Sequence, residues 1–478
     1  MYMKNPNEEE DSKGKGNTKK ILAIVIAVVV IGVAIAVGYH YLAPKPVKQQ
    51  TLAVYPGPAG PVNSEHLLGG CVIAEANTSG LTSTDISAMN QFAAYMLSPE
   101  VQFTCEQATG FIPISTHNVT GSDVPSIYSS TAATVSITYF TSISPSDYTT
   151  TQKLISNFER LYPNIKISAT DELATSIISN VEADIHAGST TPIVVSIDNL
   201  DVGVLAYGHY KGASYLLNMS DYKQVMPKSV IPSVTNLTNT EFSIFGAIPF
   251  ITQIINTPLV WIDMTALNSI GITHEPQNYT ALYNDAKTLY TKYGRGMINF
   301  QGHGGASTPT ELYQWFVQFG GNPVVFNDTH DIQAMYYIYN LSKYFTPEYK
   351  TSYWATYKGL AANKYSMMDY QWPGSVDLKT IGMNTSLVSG PNSVLNVSIK
   401  AISEGVFIRD PVPWISEWQI LMDNAWTSLI TSGSSQNYTT IAHTLGAENS
   451  AMYNYLLSND NYTVAHDYEI GMYKPITA

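Results

Sequence analysis

The 478-residue chain contains little charge and almost no arginine. Asp, Glu, Lys and Arg together make up 13% of the residues, and the formal net charge is −13. Only Arg160, Arg295 and Arg409 are arginine. Without a broad basic surface a protein neutralises few phosphates, which argues against nucleic acid as a partner. Few planar guanidinium groups are available to clamp an anion, so the composition favours a neutral ligand.

Cysteine and clustered metal ligands are also scarce. The sequence has two cysteines and ten scattered histidines, and it lacks His-Glu-x-x-His, clustered-cysteine and calcium-loop patterns. The "GHGG" around His303 resembles an oxyanion loop, but no Gly-x-Ser-x-Gly nucleophile elbow accompanies it. We therefore expect no metal, no cofactor and no catalytic residue.

One long hydrophobic run lies near the N-terminus. Residues 21–42, ILAIVIAVVVIGVAIAVGYHYL, carry no charge and as a helix would rise about 33 Å, which spans a bilayer. Lys19 and Lys20 precede the run, so the positive-inside rule places residues 1–20 in the cytoplasm and the body outside. A cleaved secretory signal is the alternative, but the run is long for one and no clear cleavage site follows. We predict a retained or pilin-type single-pass anchor.

Glycosylation and disulfide formation are both possible in the part of the chain that lies outside the cell. Both cysteines, Cys71 and Cys105, lie beyond the anchor, and we favour a bridge between them over two buried thiols. Every Asn-x-Ser/Thr site lies there too. The predicted glycosylation sites are Asn77, Asn118, Asn218, Asn236, Asn278, Asn327, Asn340, Asn384, Asn396, Asn437 and Asn461.

The middle of the chain alternates strand and helix patterns. Residues 135–167 have the periods of a strand, a helix and a second strand, and "PIVVSIDN" at 192–199 is typical of a buried strand. This alternation predicts an α/β fold with a parallel sheet covered by helices. Ligands bind at the carboxyl ends of such strands, which places residues 141–147, Asp198 and Asn199 at the expected cleft.

Several stretches in this region carry a family resemblance. "FERLYPNIKI" closes the first strand–helix unit, "AGSTTPIVVSIDN" leads into a central strand, "GASYLLN" forms a turn, and "PQNYTALYNDAKTL" follows a Gly-Ile. In this order, over residues 136–377, they resemble a family 1 extracellular solute-binding protein, the sugar-capturing subunit of an ABC importer. The resemblance implies a two-lobed periplasmic-binding-protein-like (type II) fold, closure of the lobes around a neutral sugar or oligosaccharide, and a membrane permease as partner.

One segment is out of order for that family. "AMNQFAAYMLSPEVQ" at 88–102, followed by "TGFIPIS", resembles a part that the family has near the end of the folded body. An apolar helical stripe runs through it, formed by Ile86, Met89, Phe92, Ala93, Met96 and Leu97. Residues 378–404, where it would belong, are too few to hold it. We interpret 55–116 as a transposed strand–helix segment that packs on the first lobe. An unrelated N-terminal domain is the alternative.

The predicted domain plan follows from these patterns and the resemblance. It comprises a cytoplasmic tail (1–20), an anchor (21–42), a stalk (43–54), the transposed segment (55–116), a linker (117–133), a first α/β lobe (134–250), a second, more helical lobe (251–404), and C-terminal helices that close the second lobe (405–478).

Sugar binding needs aromatic rings that stack on the apolar face of a pyranose, and amides or carboxylates that bind its hydroxyls. The candidate binding residues are Ser142, Ser144, Asp198, Asn199, Gln253, His303, Trp372, Trp414, Trp418 and Gly70. For each of these tryptophans the competing interpretation is core packing, and for Gly70 it is a backbone bulge.

Two other functions remain open. The many Ser, Thr and Tyr residues, low charge and numerous sequons resemble surface proteins of thermoacidophilic archaea, so a structural or pilus-like glycoprotein using the binding fold is possible. A glycan-acting enzyme is the other alternative, because two carboxylates in a cleft can act as acid and base.

Overall fold

The computed structural model describes most of the chain after residue 51. The described ranges are 52–109, 111–115, 126–129, 131–143, 145–220, 230–303, 307–350, 367–371, 393–432, 435–459 and 462–477, with the single positions 226 and 359. Among these residues no helix has the length and apolar character needed to cross a membrane. The predicted anchor at 21–42 lies outside the described residues.

The first body is built on a five-stranded sheet. Strands β4 (Val135–Thr141), β5 (Ile165–Asp171) and β6 (Ile193–Asp198) run parallel to one another. Strand β3 (Cys71–Glu75) lies antiparallel between β6 and β9 (Phe250–Thr252), which makes the sheet order β5-β4-β6-β3-β9. The fold is therefore α/β with a mixed sheet, and an early chain segment supplies one of its inner strands.

Side-chain alternation along these strands separates two apolar layers. Ile73 and Val194 face one layer, whereas Val72 and Val195 face the other, as the period of two requires. The first layer is covered by α1 (Ser83–Met96), α2 (Pro99–Thr109), α3 (Pro145–Leu161) and α6 (Pro232–Phe245), and the second by α4 (Ala174–Ala187) and α5 (Gly203–Tyr207). A two-strand hairpin, β7 (His209–Tyr210) and β8 (Ala213–Ser214), follows α5.

Helix α1 fixes the early segment onto this sheet. Thr82 and Asp85 form a capping box that starts the helix. Phe92, fully buried, contacts Tyr139 with ring centroids 5.0 Å apart and Phe158 at 5.1 Å, both edge to face. The helix therefore packs against residues that follow it by some 50 positions in the chain.

The second body contains a four-stranded sheet and most of the remaining helices. Its strands, in order, are β1 (Leu52–Tyr55), β10 (Leu259–Asp263), β12 (Met367–Gln371) and β11 (Ile298–Asn299). Residues 52–65 thus pack on this body, whereas the predicted plan placed 55–116 on the first lobe. Gln318 Nε2 donates to the Glu65 carbonyl oxygen at 2.9 Å. A four-residue strand gives too weak a period to reveal its partner.

The helices of the second body surround one large apolar core. They are α7 (Met264–Asn268), α8 (Tyr279–Tyr293), α9 (Ser307–Gln318), α10 (Thr329–Leu341), α12 (Ile415–Thr431), α13 (Tyr438–Ser458) and α14 (Tyr462–Glu469), with 3₁₀ turns at Ser342–Tyr344 and Pro347–Lys350. Helix α11 (Val394–Ser403) precedes the last crossing of the chain between bodies, and its Ile402 contributes to the core of the first body.

A small sheet joins the two bodies. It consists of β2 (His66–Leu67), β13 (Val406–Ile408) and β14 (Ile476–Thr477), with β13 in the centre. Phe407 lies in the core of the second body, whereas its neighbours Val406 and Ile408 lie in the core of the first. The two faces of this junction sheet therefore pack against different bodies.

The predicted disulfide is wrong for this structure. Cys71 and Cys105 are separate buried thiols, one at the start of β3 and the other in α2. Burial raises the pKa of the Cys71 thiol well above its usual value and that of Cys105 to about 12, so both stay protonated and unreactive. Disulfides require a specific separation and orientation of the two Cβ atoms, which a sequence with two exported cysteines does not reveal.

The buried carboxyl group of Glu241 should make the free energy of unfolding depend on pH. It is fully buried on the apolar stripe of α6, and neither carboxyl oxygen has a hydrogen-bond partner among the described residues. Burial raises its pKa from 4.5 to about 8. Between these values the folded chain holds a proton that the unfolded chain has lost, so stability falls as pH rises, by at most about 1.4 kcal/mol per pH unit from this group.

We therefore expect the unfolding midpoint in urea to be lower at pH 8 than at pH 5, and Glu241→Gln to reduce that difference because an amide does not titrate. Glu469→Gln, on an exposed position of α14, is the matched control and leaves the difference unchanged. An equal pH dependence in the Glu241→Gln variant and the original chain would contradict this account.

Candidate functional site

Arg409 lies where the two bodies meet. It follows β13, is buried, and donates from Nη2 to Asp198 Oδ1 at 2.9 Å and to Asn199 Oδ1 at 3.2 Å. Its Nη1 donates to Thr310 Oγ1 at 2.9 Å. Asp198 and Asn199 end β6 in the first body, and Thr310 belongs to α9 in the second. The guanidinium of Arg409 therefore hydrogen-bonds to residues of both bodies, from the position directly after the strand that joins them.

The end of β6 holds Asp198 in a fixed position. Asp198 Oδ1 also accepts the Leu200 backbone N–H at 2.8 Å, and Asn199 Nδ2 donates to the Leu68 carbonyl oxygen at 3.0 Å. The Asp198 side chain remains 44% exposed, whereas that of Arg409 is 5% exposed. The carboxylate is thus oriented by buried partners and still open to a ligand.

Two further carboxyl groups in this part of the chain, those of Asp201 and Asp410, have raised pKa values. Burial, together with the charge of Asp198, raises the pKa of Asp201, and the charge of Arg409 opposes that shift. Burial raises the pKa of Asp410 to about 7. Asp410 therefore changes its protonation near neutral pH, and a protonated carboxyl group can donate a hydrogen bond as well as accept one.

The carboxyl end of β4 contributes the other polar groups of this edge. Ser142 is half-buried, and its N–H donates to the Ser196 carbonyl oxygen at 3.1 Å. Ile143 N–H donates to Asp171 Oδ1 at 3.0 Å, which connects the ends of β4 and β5. These bonds hold the ends of β4, β5 and β6 together, and the carboxylate of Asp198 remains an exposed acceptor at this edge, the kind of group that binds ligand hydroxyls. Among the described residues no cluster of His, Cys, Asp and Glu suits a metal ion.

Gly70 and Gln253 are placed for structural reasons. Gly70 has φ of +124°, and a Cβ there would lie 2.0 Å from the Ile254 carbonyl oxygen, so the glycine permits two backbone segments to approach. Gln253 is buried on the face under α1 and α2, where its Oε1 accepts from Ser196 Oγ at 2.8 Å. The Gln253 N–H also donates to the carbonyl oxygen of Cys71 at 2.9 Å, and Cys71 is the β3 residue paired with Asp198. Ligand binding by Gly70 and Gln253 stays a prediction.

Two of the predicted binding residues, Trp414 and Trp418, are largely buried. Trp418 lies in the core of the second body and its indole N–H donates to the Pro323 carbonyl oxygen at 2.9 Å. Trp414 is buried edge to face against Tyr468 and Tyr473, and its indole nitrogen has no hydrogen-bond partner among the described residues. Both indole nitrogens are therefore buried, and ligand binding by the two tryptophans stays a prediction.

The remaining predicted binding residues are His303, Ser144 and Trp372. His303 is exposed in the second body just after Gly302, whose carbonyl oxygen accepts the Trp426 indole N–H at 3.1 Å. Ser144 and Trp372 lie outside the described residues. Their roles in ligand binding stay predictions.

Arg409 is the most important residue absent from the predicted set. Its signal is rarity, because it is one of only three arginines in the chain. Asp201 and Asp410 carry no comparable signal, because their pKa shifts arise from burial that the sequence alone does not show.

Comparison with known proteins gives structural likeness only. No model of a known protein family matches the sequence, and no curated protein matches it. The maltose-bound MalE3 of T. maritima is similar at 14% identity over 66% of this chain and 100% of that one, with a TM-score of 0.48. The sugar-binding protein MalE of the phytopathogen Xanthomonas citri is similar at 13% identity over 67% and 99%, with a TM-score of 0.49.

A third similar structure is the cyclic alpha-maltosyl-1,6-maltose binding protein of Arthrobacter globiformis, at 12% identity over 67% of this chain and 98% of that one, with a TM-score of 0.44. The similar proteins are thus sugar-binding proteins. At these identities and TM-scores the likenesses carry no conclusion about the ligand of this chain.

Arg409 is buried and Asp198 is partly exposed, so we expect replacement of either residue to lower the free energy of unfolding by a different amount. Asp198→Ala leaves a buried guanidinium without its carboxylate and should lower the free energy of unfolding by about 2–3 kcal/mol. Arg409→Met removes the buried charge and leaves Asp198 at the surface, so its cost should be smaller, about 1–2 kcal/mol. Urea unfolding of both variants and of the double variant measures this; an equal or larger cost for Arg409→Met would contradict it.

Proposed function

We propose that this protein is the extracellular, membrane-anchored substrate-binding subunit of an ABC importer. It captures a neutral sugar or oligosaccharide by closure of two lobes, and a membrane permease recognises the closed form. In this proposal the first and second bodies are the two lobes, and residues 21–42 are the anchor.

The junction between the bodies is the observation that carries the proposal. Each body has its own sheet and core, and they share the small sheet of β2, β13 and β14, whose two faces belong to different cores. Hinges are a few positions at the ends of elements that absorb a change in backbone angles. Short strands between two separately packed cores provide such positions, and Arg409 stands directly after the central one.

The charges at the junction favour a neutral, hydroxyl-rich ligand. The guanidinium of Arg409 is already bonded to Asp198, Asn199 and Thr310. What remains open is the carboxylate of Asp198, which accepts hydrogen bonds from hydroxyl groups and repels anions. A sugar fits these groups better than a carboxylate or phosphate ligand does.

The sequons are compatible with the proposed location outside the cell. A glycosylation site must be reachable by the modifying enzyme, and most of the described asparagines meet that condition. Asn218, Asn236, Asn278, Asn327, Asn396 and Asn437 are exposed and Asn77 and Asn340 half-buried, while Asn118, Asn384 and Asn461 lie outside the described residues.

Calorimetry on the full chain, solubilised in detergent, tests this proposal with a panel of mono- and oligosaccharides. We expect saturable binding of at least one sugar, together with a decrease in the radius of gyration in X-ray scattering as the lobes close. Asp198→Asn keeps the size of the side chain but removes its charge, and should weaken that binding tenfold or more, since hydrogen bonds to charged groups contribute about 1.5–3 kcal/mol.

Glu469→Gln removes a charge from an exposed site on α14 and serves as the matched control, with affinity unchanged. Absence of saturable binding for the whole panel would defeat the proposal. Hydrolysis of a bound oligosaccharide would instead favour a glycan-acting enzyme.

A further inference from the structure

A second concave site lies on the second body, and none of the residues that line it belongs to the junction. It is a cavity of about 510 Å³ between α8, the end of α9, and α10. That volume is within the range of small-molecule sites, roughly 300–1,000 Å³. Its lining residues are Tyr283, Phe319, Gln333, Tyr336, Tyr337 and Asn340.

The lining combines aromatic walls with amide side chains. Tyr283 and Tyr337 have ring centroids 6.3 Å apart, and Tyr337 lies 5.7 Å from Phe319. Gln333 is exposed at the rim, so its amide can both donate and accept hydrogen bonds. No lining residue itself carries a charge at neutral pH. The nearby ammonium group of Lys343 is bonded to Asn340 Oδ1 at 2.7 Å.

Exposed tyrosines extend the site on both sides. Tyr336 packs edge to face with Tyr438 at 5.8 Å. On the other side Tyr283 contacts Tyr344 at 5.4 Å, and Tyr344 contacts Tyr290 at 5.5 Å. Tyr336, Tyr438 and Tyr290 are 39%, 38% and 41% exposed. We refer to Tyr283, Tyr290, Tyr336, Tyr344 and Tyr438 as the tyrosine belt. Its paired rings lie 5.4 to 5.8 Å apart, so it offers a ligand more than one ring.

We propose that this cavity and the tyrosine belt bind a chain of neutral pyranose rings, at a site separate from the one beside Asp198. Tyrosine offers an apolar face for stacking and a hydroxyl group for hydrogen bonding, at little cost in conformational entropy. Scattered surface apolar residues need no explanation, but a continuous aromatic patch around a cavity marks a binding site.

Two sources can supply such rings. One is a free oligosaccharide or polysaccharide near the cell surface. The other is a glycan on the chain itself, because Asn340 lines the cavity and heads the sequon Asn340-Leu341-Ser342. Asn340 Nδ2 donates to the Tyr336 backbone carbonyl oxygen at 2.8 Å, and both residues line the cavity, so a glycan on this nitrogen would begin at the cavity.

The test uses the full chain produced without glycosylation, with maltotetraose, cellotetraose, mannotetraose and chitotetraose as probes in calorimetry and saturation-transfer NMR. At least one probe should bind in a manner that depends on Tyr336. Tyr336→Ala should weaken that binding tenfold or more, whereas Tyr336→Phe, which keeps the ring, should stay within about twofold.

Tyr455→Ala is the matched control. Tyr455 is a tyrosine of similar exposure on α13, about 25 Å along the helix from Tyr438 at 1.5 Å per residue, and its removal should change nothing. Asp198→Asn should leave binding at this cavity unchanged. The cavity proposal can therefore fail while the proposed transport function holds, and the reverse. Absence of Tyr336-dependent binding for all four probes, or an equal loss in Tyr455→Ala, would overturn the proposal.

A comparison with the glycosylated chain identifies the source of the rings. If the glycan of Asn340 fills the cavity, the glycosylated chain should not bind the probe and Asn340→Gln should restore binding. If a free saccharide is the ligand, the glycosylated and unglycosylated chains should bind it alike.

Discussion

The buried charge of Arg409 is the constraint around which the junction is organised. A guanidinium taken out of water is costly unless its donors are bonded, and here both terminal nitrogens have partners. Those partners come from the first body through Asp198 and Asn199, and from the second through Thr310. Any movement of one body relative to the other must therefore preserve these bonds or exchange them, which couples the arrangement of the bodies to the exposed carboxylate of Asp198.

Chain order and spatial order differ in this fold. The early segment starts in the sheet of the second body with β1, passes through the junction with β2, and enters the first sheet as β3. Packing depends on which surfaces meet rather than on their order in the chain, and connections need only reach. The segment therefore contributes to both cores and to the sheet between them, so the two bodies are not independent along the sequence.

Elements with a long, regular period were predictable. The strand–helix–strand unit at 135–167, the buried strand ending at Asp198, and the apolar stripe of α1 all appear where periodicity indicates them. The strands of the junction sheet have two or three residues each, too few for any period. The same limit applies to Leu52–Tyr55, whose partner strand lies some 200 positions away.

Sequence patterns were sufficient for the α/β class, for the position of Asp198 at a strand end, and for the Met89 and Phe92 face that α1 buries. Tertiary structure alone decided that Cys71 and Cys105 remain thiols, that Gln253 and Trp418 lie in the core, and that Arg409 joins Asp198 to the second body. The reason is physical: periodicity reports the face that one element buries, whereas bonds, thiol separation and carboxyl burial depend on what distant segments place opposite that face.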